Sequence, residues 1–132
     1  FPGIILSILF RGRKYPIRMD LYDKSPKKCQ FLTKVVKKLD LNVQVIEKNV
    51  LEQKNLNVDT ILARAFKPIQ SVFEIVTVNF KNFENLILFL GKSGKQTLLD
   101  ASKVWEFEYK ERKSITSNDS LILNIKKIRK KI

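Results

Sequence analysis

Five consecutive apolar side chains, Leu86-Ile87-Leu88-Phe89-Leu90, run directly into Gly91-Lys92-Ser93-Gly94. A run this short, apolar at every position and closed by turn residues, predicts a strand covered on both faces, as in a parallel sheet. Thr60-Ile61-Leu62-Ala63, terminated by Arg64, has the same character. Ile17 to Tyr22 alternates apolar and polar side chains and ends at Asp23, and Val43 to Ile46 reads as a further short strand. Helical patterns separate these runs. Ser25 is placed to cap a helix opened by Pro26, with Phe31, Leu32, Val35, Val36 and Leu39 at helical spacing. Lysines 27, 28, 34, 37 and 38 fall mostly outside that stripe. Pro68 opens a second helix with Ile69, Val72, Phe73, Ile75 and Val76 as its apolar face. Strand–helix alternation over the first ninety residues predicts an α/β fold whose parallel strands are joined by right-handed crossovers.

The remaining segments are simpler. Glu47 to Val58 reads as polar loop and Lys95 to Ser102 as a short helix. Val104 to Lys113 and Leu121 to Lys127 form an antiparallel pair at the sheet edge, joined by the polar stretch 114–120 and followed by a basic tail, Lys126 to Lys131. At the front, Pro2 to Phe10 reads as a buried helix whose upstream neighbours are missing, with Arg11 to Lys14 a basic turn that Gly12 closes. Its seven-residue apolar run, Ile4 to Phe10, is too short to span a bilayer, and the basic residues follow it where a signal peptide needs them in front. The 132 residues are therefore expected to form a single N-terminally truncated domain, 1–132, with no membrane partner.

Composition excludes several chemistries. Histidine is absent, so no imidazole base, nucleophile–histidine dyad or histidine metal site exists. The lone Cys29 excludes an internal disulfide and a zinc cluster, and fits a reducing cytosol. A net charge of +13 points to a polyanionic partner such as nucleic acid, although only six of the 26 basic residues are arginine. Lysine suits phosphate as a point charge better than it suits bidentate recognition.

In an open parallel sheet, ligands bind beyond the carboxyl ends of the strands. Asp23 ends one strand, where it either accepts both hydroxyls of a ribose or caps the helix beyond Ser25. Asn49-Val50-Leu51-Glu52 follows the next strand, either as an adenine-reading backbone or as an ordinary loop. Arg64 stands at the end of its strand within Ala63-Arg64-Ala65-Phe66. Lys92 and Lys95 lie in a stretch that resembles part of a phosphate loop but lacks the G-x-x-x-x-G-K-[ST] spacing, so a solvated turn is the competing reading. Cys29, amid lysines, is either an activated thiol or an inert half-buried one. Trp105, Phe107 and Tyr109 share one strand face, as a base-stacking platform or as core.

Four stretches in this order and spacing carry a family resemblance: Phe1-Pro2-Gly3-Ile4-Ile5-Leu6-Ser7-Ile8, Leu21 to Leu32, Val58 to Phe66, and Leu88-Phe89-Leu90-Gly91-Lys92. Together they resemble the ribosomal RNA small-subunit methyltransferase G family, also called glucose-inhibited division protein B, over essentially the whole chain. The resemblance implies a Rossmann-like class I methyltransferase sheet with a C-terminal antiparallel strand pair. It also implies transfer of a methyl group from S-adenosylmethionine to guanine N7 of small-subunit (16S) ribosomal RNA, by a monomer in the bacterial cytoplasm. Cofactor-binding positions carried over are Phe1, ending the glycine-rich loop; Asp23, on the ribose; Val50 and Leu51, at the adenine; and Arg64, at the pocket. Where the family often has glutamate this chain has Leu51, so contact there is expected through the backbone.

The family's first strand and glycine-rich loop are expected just before Phe1 and are missing, so this chain alone is expected to be inactive. Guanine N7 already carries a lone pair, so attack on a sulfonium methyl needs placement and no general base, which agrees with the lack of histidine. Arg11, Arg13, Lys14, Lys92 and Lys95 are expected to hold RNA phosphates, positioning the substrate without specifying it. The competing functions are a non-enzymatic basic RNA-binding module and a flavodoxin-like nucleotide-binding domain; the absence of a complete phosphate loop speaks against the latter.

Overall fold

A computed structural model of the chain describes residues 12–14, 16–64, 68–91, 94–113 and 121–132. The chain divides into two units, Phe1–Gln53 and Lys54–Ile132. The expected helix Pro2 to Phe10 lies outside the described residues.

In the first unit, strand β1 (Met19–Asp23) pairs in parallel with β2 (Val43–Glu47), from Met19 opposite Val43 to Asp23 opposite Glu47. Helix α1 (Pro26–Leu39) connects them. Its start follows the sequence: Ser25 is extended, its hydroxyl accepts the Lys28 N–H at 3.4 Å, and Pro26 occupies a position that needs no donor. Its end is fixed by Asp40, left-handed at φ 51°, whose N–H donates to the Lys37 carbonyl while the Leu41 N–H donates to Val36. These two bonds satisfy carbonyls that a helix end otherwise leaves open. Leu32 and Leu41 are the buried centre, with Leu21, Val35, Val36, Val43 and Val45 packed around them.

Two expectations in this unit are corrected. The strand begins at Met19, not Ile17, because pairing starts there; Ile17 is exposed and its carbonyl accepts the Asn42 side-chain amide at 3.1 Å. Phe31 does not belong to the buried stripe: it is 55% exposed, against 2% for Leu32. One residue along a helix is a rotation of about 100°, which carries Phe31 off the face that Leu32 buries.

The second unit holds β3 (Leu56–Asn57), β4 (Thr60–Arg64), α2 (Ile69–Asn79), β5 (Phe80–Asn82), β6 (Asn85–Leu90), α3 (Gly94–Ser102), β7 (Trp105–Lys113) and β8 (Leu121–Lys130). Four strands form one sheet in the order β4-β6-β8-β7, parallel between β4 and β6 and antiparallel elsewhere, and β3 pairs in parallel with β5. Leu86, Leu88 and Leu90 of β6 and Leu121, Leu123 and Ile125 of β8 are buried in one cluster. Ile69, Val72, Phe73 and Val76 of α2, Leu98 and Ala101 of α3, and Trp105 complete it. Phe73 sits at its centre, edge-on to Trp105 with ring centroids 5.7 Å apart and to Phe107 at 5.0 Å.

Here too the strand runs are less sealed than their composition suggests. Ile87 and Phe89, on the alternate face of β6, are half-buried, as are Ile61, Leu62 and Ala63 of β4. The expected loop from Glu47 to Val58 contains a 3-10 turn, Val50–Glu52, and the short β3. The expected basic tail is strand: β8 continues to Lys130, past an irregularity where Lys127 takes φ 56° and the register with β7 shifts between Glu106 and Glu108.

Candidate functional site

Because β1 and β2 are parallel and in register, their carboxyl ends lie side by side, with Asp23 at one and the Asn49–Glu52 stretch following the other. Asp23 is half-buried, and its Oδ1 accepts the Ser25 N–H at 2.8 Å. That bond is part of the capping reading of Asp23. A carboxylate has two oxygens and about four acceptor positions, so one amide leaves it able to accept hydroxyls as well. Beyond β2, Asn49 caps the Val50–Glu52 turn by accepting the Leu51 N–H on Oδ1 at 3.0 Å. The Asn49 carbonyl takes the Glu52 N–H at 3.0 Å and the Val50 carbonyl the Gln53 N–H at 3.2 Å. Of the pair Val50 and Leu51, the amide left for a ligand is that of Val50.

Cys29 lies in the first turn of α1 behind this edge, 6% exposed, with Sγ donating to the Asp23 carbonyl at 3.3 Å. Burial, and then the negative charges of Asp23 and Glu47, push the thiol above its ordinary value of 9.0. The neighbouring lysines do not activate it, and the inert reading of Cys29 holds.

In the second unit, Arg64 ends β4 opposite Phe89 of β6, exposed at the carboxyl end of that parallel pair. Gly91 follows β6 at the same end. The Gly94 N–H donates to the Gly91 carbonyl at 3.0 Å, so that amide is not offered to phosphate. Gly94 is glycine for packing: a Cβ there would stand 2.9 Å from Leu90 Cβ. Lys95 is exposed at the start of α3. Arg13 and Lys14 are exposed in a turn in which Lys14 takes φ 57°. Phe1, Arg11 and Lys92 lie outside the described residues.

The aromatic face of β7 is core at one end, with Trp105 buried and Phe107 half-buried, and only Tyr109 half-exposed. Three of the four cations of β8 are paired: Lys127 with Glu108 at 3.4 Å, Arg129 with Glu106 at 2.7 Å and Lys130 with Glu74 at 2.7 Å. An open depression lined by Asn57, Asp59, Thr77, Asn82, Glu84 and Lys127 sits at the amino ends of β4 and β6, the wrong end for a ligand of such a sheet. Among the described residues no group of three or more His, Cys, Asp or Glu side chains is placed to hold a metal ion, and no helix is long and apolar enough to cross a membrane. Sequence reasoning missed the capping use of the Leu51 amide; the signal was Asn49, a residue that caps helix starts.

Comparison with known proteins fits this arrangement. The family model described as rRNA small subunit methyltransferase G matches residues 1–125, across both units. Ribosomal RNA small subunit methyltransferase G of Pelagibacter ubique is 45% identical over 130 residues, 98% of this chain and 61% of that protein. The chain spans 61% and 64% of the length of two curated relatives that it matches, those of Pelagibacter ubique and Rickettsia felis. Among solved structures, the PH0226 protein from Pyrococcus horikoshii superposes with a TM-score of 0.68 at 15% identity, covering 94% of this chain and 77% of that one. M. capricolum TrmK, in complex with S-adenosyl-homocysteine, gives 0.63 at 20% identity, covering 95% and 58%. These likenesses give the fold, a Rossmann-like class I methyltransferase α/β architecture.

Proposed function

The chain belongs to the rRNA small subunit methyltransferase G family, and from that premise we propose that the whole protein transfers a methyl group from S-adenosylmethionine to guanine N7 of bacterial small-subunit ribosomal RNA. The observation that carries this reading is the family match from residue 1 to 125 over a chain in which parallel strands end in Asp23 and Arg64 and the Val50–Glu52 turn follows β2. Both units then belong to one methyltransferase domain, 1–132.

The residues present suit the cofactor's chemistry. Asp23 keeps acceptor capacity for two ribose hydroxyls, the Val50 amide can donate to the adenine edge, and Phe1 and Arg64 are read as its further contacts. When bound, S-adenosylmethionine supplies an electrophilic methyl on a sulfonium. The chain's part is to hold that methyl in line with the guanine N7 lone pair and to exclude water; with no histidine and no required deprotonation, orientation supplies most of the effect. The basic residues Arg11, Arg13, Lys14, Lys92 and Lys95 contribute to phosphate contacts. We read the whole protein as a monomer acting in the bacterial cytoplasm, where its RNA is located.

The test is transfer of labelled methyl from S-adenosylmethionine to small-subunit ribosomal RNA, by this chain and by a version extended upstream to the full length of its relatives. Transfer by the extended version, mapped to a guanine N7, is the expected result. No transfer by either, with salt-sensitive RNA binding retained, would replace the enzyme by a non-enzymatic RNA-binding module.

A further inference from the structure

Asp23 and Glu47 are opposite residues of the parallel pair β1–β2, one ladder step or about 4.8 Å apart along the backbone. They also share a face. Leu21 and Val45, the register partners two residues earlier, both pack against the buried Leu32 and Leu41, and strand side chains repeat on a face every second residue. Both carboxylates therefore stand on the α1 side of the strand ends. Cys29, in the first turn of that helix, feels the negative charge of each. Asp23 is half-buried and tied to the Ser25 N–H, whereas Glu47 is exposed. Lys24, Lys27, Lys28 and Lys48 lie close to them in sequence, and among the described residues none forms an ion pair with either acid.

We propose that Glu47 is a specificity-determining residue of the cofactor site: beside Asp23 it completes a two-carboxylate edge that admits an adenosine with free ribose hydroxyls and rejects one phosphorylated on the 2′ oxygen. The inference rests on the S-adenosylmethionine reading, with Asp23 at the ribose, and adds to it a residue that sets which adenosine ligands enter.

A hydroxyl and a phosphate make opposite demands on such an edge. Hydroxyls donate, and an ionised carboxylate only accepts, so free hydroxyls are matched there. A phosphate brings negative charge and, once ionised, no donor, next to Asp23 and one strand away from Glu47. Like charges placed together across a binding surface act against the wrong partner more than they help the right one. Dinucleotide-binding sheets that accept a 2′-phosphate set an arginine near the corresponding acid. Here the register partner of that acid is Glu47, of the opposite sign, while Arg18 precedes β1 at its far end and pairs with Asp20 at 3.3 Å. Without a ligand, Glu47 has one other use on this face, to offset the positive end of the α1 dipole, and that use does not sense a ribose phosphate.

The experiment uses the upstream-extended protein and displaces S-adenosylhomocysteine, in calorimetry, with adenosine or with adenosine 2′-monophosphate. The quantity read is the ratio of the two affinities on one variant, so a general loss of binding cancels. Glu47→Gln should shrink the preference for adenosine about tenfold. Glu47→Asp keeps the charge and should keep most of the preference. Added salt should lower the wild-type ratio more than that of Glu47→Gln. A ratio unchanged by Glu47→Gln would overturn the proposal, and a simultaneous loss of thermal stability would then leave Glu47 a dipole partner of α1. Equal shrinkage in Glu47→Asp would overturn it too, by assigning the effect to side-chain length and not to charge. Failure of the wild type to bind S-adenosylhomocysteine overturns the cofactor reading together with this inference; binding with an unchanged ratio overturns this inference alone.

Discussion

Asp23 and Glu47 stand opposite each other as the last register partners of two parallel strands, and the buried thiol of Cys29 donates to the Asp23 carbonyl at 3.3 Å. Two carboxylates and a desolvated thiol therefore share one edge. Burial and then the two negative charges oppose ionisation of the thiol.

Burial, Asp23 and Glu47 all hold the Cys29 proton on in the folded state, raising the thiol above 9.0. A group with a raised folded value binds its proton more tightly when folded, so its contribution is complete below pH 9 and is lost as pH rises through the folded value. The wild-type chain should lose stability above pH 9 more steeply than Cys29→Ala, measured by urea titration at several pH values. Alkylation by iodoacetamide at pH 8 should be slow until urea unfolds the chain.

Asp23 has two proposed tasks that one substitution separates. Asp23→Asn retains a side-chain carbonyl for the Ser25 N–H, so the melting temperature should change little. The charge that strengthens bonds from ribose hydroxyls is gone, and S-adenosylmethionine binding by the upstream-extended protein should fall at least tenfold, about 1.4 kcal/mol, in calorimetry. A large stability loss with unchanged affinity would leave Asp23 a cap alone.

Arg64 is exposed at the end of β4, so its truncation removes little packing. Arg64→Ala in the extended protein should weaken cofactor binding tenfold or more without moving the denaturant midpoint. Unchanged affinity by calorimetry would reject its place at the pocket.

Gly94 admits no side chain. Gly94→Ala places a carbon 2.9 Å from Leu90 Cβ and 3.2 Å from its Cδ1, and the Cβ, fixed to the backbone, cannot swing away. We expect a destabilisation of about 1–3 kcal/mol by chemical denaturation.

Much of this fold is legible in the sequence because local chemistry decides it. Ser25-Pro26 starts α1 where capping predicts, and the apolar run at Leu86–Leu90 is a strand within one residue of its expected bounds. The position of β8 was not legible, since pairing Leu86 with Ile125 depends on contacts 39 residues apart and not on any local pattern. Phe31 misled because a hydrophobic residue at the margin of a stripe reads as core until the width of the covering sheet is known. At the candidate site, Asp23, the Asn49–Glu52 stretch and Arg64 are legible as following strand patterns, while Val50 and Leu51 are singled out only by the family resemblance. The capture of the Leu51 amide by Asn49 needed coordinates, because a side chain that can cap a turn can equally point away from it.

The placement of β8 inside its sheet bears on how the protein is made. β7 is synthesised before β8 yet reaches β6 only through it. While the chain is emerging, β6 holds Leu86, Leu88 and Leu90 in a sheet that has no neighbour on that side until Leu121, Leu123 and Ile125 arrive. During that interval an apolar strand edge is open to other chains. The sheet of the second unit therefore joins β6 to β7 only once residues 121–125 are present, so a chain ending before residue 121 lacks the strand that covers this edge of β6.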